Sequence, residues 1–194
     1  MLKYSLKRTS EPAVEPVTVA EAKKHLRLTL NDDDHVIANA ITAARQSVER
    51  DSGKSLITQT WRLKMDMWPT DGITLFHGPV QSVTSISYVN DAGNSTTWNS
   101  DEYDVLSDGI PGHIHPAWNY DWPEVRGDYK GISVVYVTGY GDTGSSVPYE
   151  LRQAVLLRVE MFYDGENQQL VDAYHRLVYG ASDGVYHNAD TQVY

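Results

Sequence analysis

The feature that most constrains this chain is a change of hydrophobic period. Apolar residues recur every three or four positions near the start, alternate through the middle, and return to helical spacing near the end. A 3.6-residue period buries one stripe of a helix, whereas a two-residue period buries one face of a strand. Such a chain builds helices from its two flanks and a β block between them. The expected fold class is α+β. It is a small α-helical bundle, with two N-terminal helices and one C-terminal helix, an inserted antiparallel β domain and an extended C-terminal tail.

The boundaries follow from local signals. The N-terminal helices occupy 15–56. Thr18 with Glu21 three residues on is a capping box ahead of Val19, Ala22 and Leu26. A second helix carries Val36, Ile37, Ala40, Ile41, Ala44 and Val48, and Gly53 is placed to end it. The β domain occupies 57–141. Trp61, Leu63 and Met65 alternate with Arg62, Lys64 and Asp66, giving a strand with one dry and one wet face. Further strands are expected at 73–76, 83–89, 96–98, 102–106 and 132–140, with NDAGN (90–94) as a hairpin turn. Residues 107–131 show no period and are expected to form a long structured loop. GYGDTGSS (139–146) is expected to be a flexible connection. Pro148 suits the first turn of a C-terminal helix over 147–165. That helix is apolar on more than one side, so it lies at the centre of its domain or also faces a neighbouring subunit. Residues 166–194 are expected to be a tail that orders on a partner, with one weak helical patch.

Composition narrows the function. The formal net charge is −10, so the surface as a whole repels phosphate. There is no cysteine, hence no disulfide and no thiolate metal site. Thirteen Tyr and five Trp against two Phe favour half-wet protein contacts. No stretch approaches the ~20 apolar residues of a membrane span.

NDDDH (31–35) fails the calcium-loop register from either Asn31 or Asp32, because valine or a helical residue stands where glycine and glutamate are needed. The simpler reading makes Asn31 or Asp32 the cap of the second helix, with the other aspartates in its first turn. His113 and His115 share one side of an extended segment, but only a generic carboxylate, Asp121, lies near. No phosphate loop, dinucleotide motif or nucleophile elbow is present. The expectation is no enzyme, no cofactor, no catalytic residue and no metal.

Four blocks in order carry a resemblance: PVTVAEAKKHLRL (16–28), DDHVIANAITAARQSVERDSGKSLITQTW (33–61), GPVQSVTSISYVNDAGN (78–94) and VPYELRQAVLLRVEMFYDG (147–165). Together they resemble the head–tail connector (adaptor) proteins of tailed bacteriophages and related gene-transfer particles. The resemblance implies a helical bundle with a β insertion that assembles as a homo-oligomeric ring, usually of twelve, beneath the portal protein. Such a ring extends the DNA channel, lets DNA pass without specific binding, and receives a stopper or tail protein. It implies a place in the virion neck, after assembly in the host cytoplasm, and no membrane. On this reading the final helix makes ring contacts through Leu151, Val155, Leu156, Val159 and Phe162. The tail docks on the portal through Leu170, Val171, Tyr174, Leu177, Val178 and Tyr179. The alternatives are a stopper or tail-completion protein, or a metal-dependent hydrolase or binding module using His113 and His115.

Overall fold

The computed structural model describes residues 4–127 and 130–180. Its elements in chain order are β1 (Tyr4–Ser10), α1 (Val19–Leu26), α2 (Asp34–Ser52), β2 (Gln59–Met65), β3 (Ile73–Leu75), β4 (Val80–Val89), β5 (Ser95–Thr97), β6 (Tyr103–Leu106), β7 (Gly112–Pro116), β8 (Ile132–Thr138), α3 (Tyr149–Asp164) and α4 (Gln168–Tyr179). The fold is α+β, with antiparallel sheets beside a helical bundle. No helix among the described residues is long and apolar enough to cross a membrane.

Two cores organise it. The helices enclose one, built on Ile37, Ile41, Ala44, Val48, Leu151, Val155 and Val159. The second lies between the sheets and is built on Leu63, Met65, Ile73, Leu75, Ile86, Ile114, Val134 and Tyr136. The larger sheet has the order β1-β2-β8-β4-β5 and the smaller β3-β7-β6. The alternation of β2 and β8 explains their place. Leu63 and Met65 of β2, and Ile132, Val134 and Tyr136 of β8, face the core, while the residues between them face outward.

Local signals set the helix ends. The Thr18 side chain accepts from the Glu21 N–H at 3.1 Å, and Glu21 accepts from the Thr18 N–H at 2.7 Å. That capping box and the left-handed Gly53 at the end of α2 are as the residues suggested. The β4–β5 hairpin turns where NDAGN stands, with the Asn94 N–H donating to the Asn90 side chain.

Several expectations are corrected. The N-terminal segment is a strand: β1 pairs with β2 from Tyr4↔Met65 to Ser10↔Thr60. The β domain is therefore not a pure insertion. Its outer strand, β1, comes from ahead of the bundle. The stretch 107–131 is not all loop, since GHIHP forms β7 between β3 and β6. The start of GYGDTGSS is pinned rather than flexible: the Thr58 N–H donates to Gly141 O at 3.0 Å and the Tyr140 N–H to Leu56 O. Gly139, at φ 119°, has no room for a side chain, as a Cβ there would lie 2.5 Å from Ile57 O. The expected extended tail begins with a packed helix, α4, capped by the Asn167 side chain accepting from the Leu170 N–H at 3.0 Å. Residues 181–194 lie outside the described residues.

Candidate interaction surfaces

With one helix more than the flanks suggested, the bundle reassigns the residues expected to meet partners. Helix α3 packs against α1, α2 and α4, which accounts for apolar side chains on more than one of its sides. Leu151, Val155, Leu156 and Val159, expected at ring contacts, are buried in this chain's own core. Only Phe162 of that set is exposed, at 45%. The Arg158 guanidinium lies over the Phe162 ring at 4.9 Å and over Tyr174 at 5.6 Å. Tyr149, at the other end of α3, is 70% exposed.

The six residues expected to dock on the portal divide similarly. Tyr174 and Val178 are buried, and Leu170, Val171 and Leu177 pack against the helical core. Their three- and four-residue spacing is that of a helix stripe, which α2 and α3 cover. Tyr179 is 52% exposed at the C-terminal end of α4. The Tyr174 hydroxyl donates to Asp51 Oδ2 at 2.7 Å. Burial, reinforced by that carboxylate, raises the Tyr174 pKa well above the ordinary phenol value.

Polar ties lock the bundle. Asp33, not Asn31 or Asp32, is the N-cap of α2, and its side chain makes no capping bond. Asp33 accepts instead from the Tyr163 hydroxyl at 2.7 Å, and Asp34 pairs with Lys23 at 2.7 Å. The acidic run thus joins α2 to α3 and α1. Glu21 pairs with Arg152, and His25 Nε2 lies 2.8 Å from Glu160. The Thr18 N–H, above all, holds the Glu21 carboxyl below its usual value.

At the seam between the domains lies a buried charge cluster that periodicity did not reveal. Arg45 donates to Glu15 at 2.8 Å and to Glu49 at 3.0 Å. Glu49 also accepts from the Leu56 N–H at 3.0 Å and from Gln59 at 2.8 Å, and it lies 3.5 Å from Arg8. Burial alone would lower the Arg45 pKa, but the two carboxylates outweigh it and the pKa is raised. A cavity of about 760 Å³ opens beside this cluster, lined among others by Tyr4, Arg8, Glu49, Trp61, Phe76 and His77. Trp61 stacks on His77 at 4.2 Å. Burial first, then Arg8, depresses the His77 pKa.

The β domain collects the aromatic residues. Trp68, Tyr88, Trp98, Tyr103 and Trp122 form one cluster, with Trp68 stacked on Trp122 at 5.0 Å. Beyond it, Trp118 is 87% exposed, and Tyr120, Ile110 and Leu106 are also exposed. His113 and His115 lie on β7 with ring centroids 6.3 Å apart. His115 fills the space over Gly72, where a Cβ would meet its ring at 2.2 Å, so it serves packing. Among the described residues no three His, Cys, Asp or Glu side chains gather as metal ligands would.

Comparison with known proteins gives a family match and a shared fold. Residues 16–114 match the family model described as phage gp6-like head-tail connector protein. Solved structures share the fold. A chain of the neck of an empty GTA particle, computed with C6 symmetry, matches with TM-score 0.72 and 23% identity. The match covers 89% of this chain and 94% of that one. A chain of the virion of a native gene transfer agent (GTA) particle matches with TM-score 0.72 and 24% identity over the same shares. One from the neck of the native particle, computed with C12 symmetry, matches with TM-score 0.69 and 23% identity, over 89% of this chain and 93% of that one. No curated protein sequence matches.

Proposed function

Because this chain belongs to the phage gp6-like head-tail connector family, we propose that it is the adaptor ring of a phage-like particle. The family match over residues 16–114 carries this reading, since it spans the helical pair and most of the β block. The shared fold with chains from particle necks of C6 and C12 symmetry supports a ring, and we take twelve copies as its size. The ring sits beneath the portal, extends the DNA channel and presents its lower surface to a stopper or tail protein. It works by assembly and not by catalysis, after folding in the host cytoplasm.

A closed ring pairs two different patches on each subunit. The buried face of α3 is not available for that. We assign lateral contact to the exposed Phe162 and Tyr149 and to the β-domain tip around Trp118, because large aromatics anchor interfaces. We assign portal attachment to the exposed Tyr179 and the chain that follows it. Mass measurement of the full chain alone and mixed with its portal tests this. A ring-sized species on the portal is the expected result. Absence of any portal-bound species would sink the assignment.

A further inference from the structure

The outward face of the larger sheet is uncovered, and its chemistry differs from the rest of the chain. Ser5 and Lys7 of β1, Thr60, Arg62 and Lys64 of β2, and Ser133 of β8 lie on it. Ser85 and Ser87 of β4 continue it beyond β8. Val135 and Val137 lie on the same face, only half-buried, and belong to neither core. Lys7 and Arg62 are exposed and Lys64 is half-buried. None of the three has an ion-pair partner among the described residues. No carboxylate stands on these strand positions, although acidic residues outnumber basic ones by 26 to 16 in the whole chain.

Lys7 stands directly across from Arg62, and Lys64 is two residues further along the same strand face. Like charges placed opposite each other on a sheet oppose its stability. A lysine on an edge strand alone would serve to discourage edge pairing. That explanation covers Lys7 but not Arg62 and Lys64, which stand on the interior strand β2. An anion laid across the face would relieve that repulsion. Protein-contact cores are rich in Tyr, Trp and Met and poor in Lys and Ser. This face is the reverse, a flat array of cations and hydroxyls, which are the groups that hold phosphate oxygens.

We propose that this sheet face is a sequence-independent contact for the phosphodiester backbone of duplex DNA, made by Lys7, Arg62 and Lys64 with the flanking serines and threonines. The inference rests on the connector reading only for where the protein meets DNA. The contact is shallow, with three cations and no base-reading side chain, so it guides the duplex without gripping it.

The test is fluorescence anisotropy of a labelled mixed-sequence duplex with the full chain across a salt series. Three neutralised phosphates predict a log–log salt slope of about −2.7, or roughly 40-fold weaker binding between about 50 and 200 mM salt. Lys7→Gln/Arg62→Gln/Lys64→Gln should abolish the slope and the binding. Lys24→Gln/Arg27→Gln, which removes exposed cations from the end of α1, should change neither beyond about 2-fold. Thermal melts confirm that both variants fold. No binding by the wild-type chain at low salt overturns the proposal, as does an unchanged slope in the triple variant. If the triple variant keeps DNA binding but loses portal-bound mass, the face is a protein contact and the proposal is wrong. Portal co-assembly of the wild-type chain reports on the ring reading separately.

Discussion

Tyr174 on α4 reaches across the bundle and donates its phenolic proton to Asp51 at the end of α2, at 2.7 Å. One hydrogen bond therefore fastens the last described helix to the helix that precedes the β domain. Removing only the hydroxyl, by Tyr174→Phe, is expected to cost about 1.5 kcal/mol, the low end for a bond to a charged acceptor. Urea unfolding would show it as a lower midpoint at unchanged slope.

That phenol, together with Tyr136, also predicts an alkaline limit. Burial raises both pKa values above the ordinary phenol value of about 10. The unfolded chain releases these protons near that value while the folded chain holds them. Their contribution is fully present below about pH 10 and is lost as pH rises through the higher folded values. Tm should fall above about pH 10, and the fall should be shallower in Tyr174→Phe. A wild-type Tm that stays level across that range would contradict the burial of these rings.

The seam cluster should be costly to break on one side. Arg45→Ala leaves the buried Glu49 with only Arg8, 3.5 Å away, to balance its charge, at an expected ~3 kcal/mol, the low end for breaking a buried pair. Replacing both members by apolar residues, Arg45→Met with Glu49→Leu, also takes the acceptor from the buried Leu56 N–H and Gln59, and should cost at least as much as Arg45→Ala alone. Denaturant titration of the single and double variants decides the order.

Core and surface on α3 should separate cleanly. Leu151→Ala removes a side chain that is 4% exposed and is expected to cost about 2–5 kcal/mol in the isolated chain. Phe162→Ala, which removes the ring beneath Arg158, should cost about 1 kcal/mol or less and weaken ring formation instead. Equal loss of stability from both would contradict the division. Sizing by analytical ultracentrifugation with portal present completes the comparison.

The acidic run NDDDH yields a smaller prediction. Asp34→Asn breaks a partly exposed pair with Lys23 and should cost at most about 1 kcal/mol. A larger drop in a urea titration would show that the run does more than tie helices.

The residues themselves spelled out the α+β class, the capping box at Thr18 and Glu21, the stop at Gly53 and the wet and dry faces of β2. Each depends on neighbours within a few positions, where spacing and side-chain reach act directly. The family resemblance lay in blocks of the same local kind. What tertiary structure alone decided were the partners. β1 is a strand because β2, more than fifty residues away, supplies its hydrogen bonds. The apolar side chains of α3 and α4 cover one another, so residues expected at a ring or portal contact became the protomer's interior. Arg45 and Glu49 are one turn apart on α2, but only packing at the seam made that ordinary helical pair a buried network. A period tells which face of an element must be covered, and long-range packing decides what covers it.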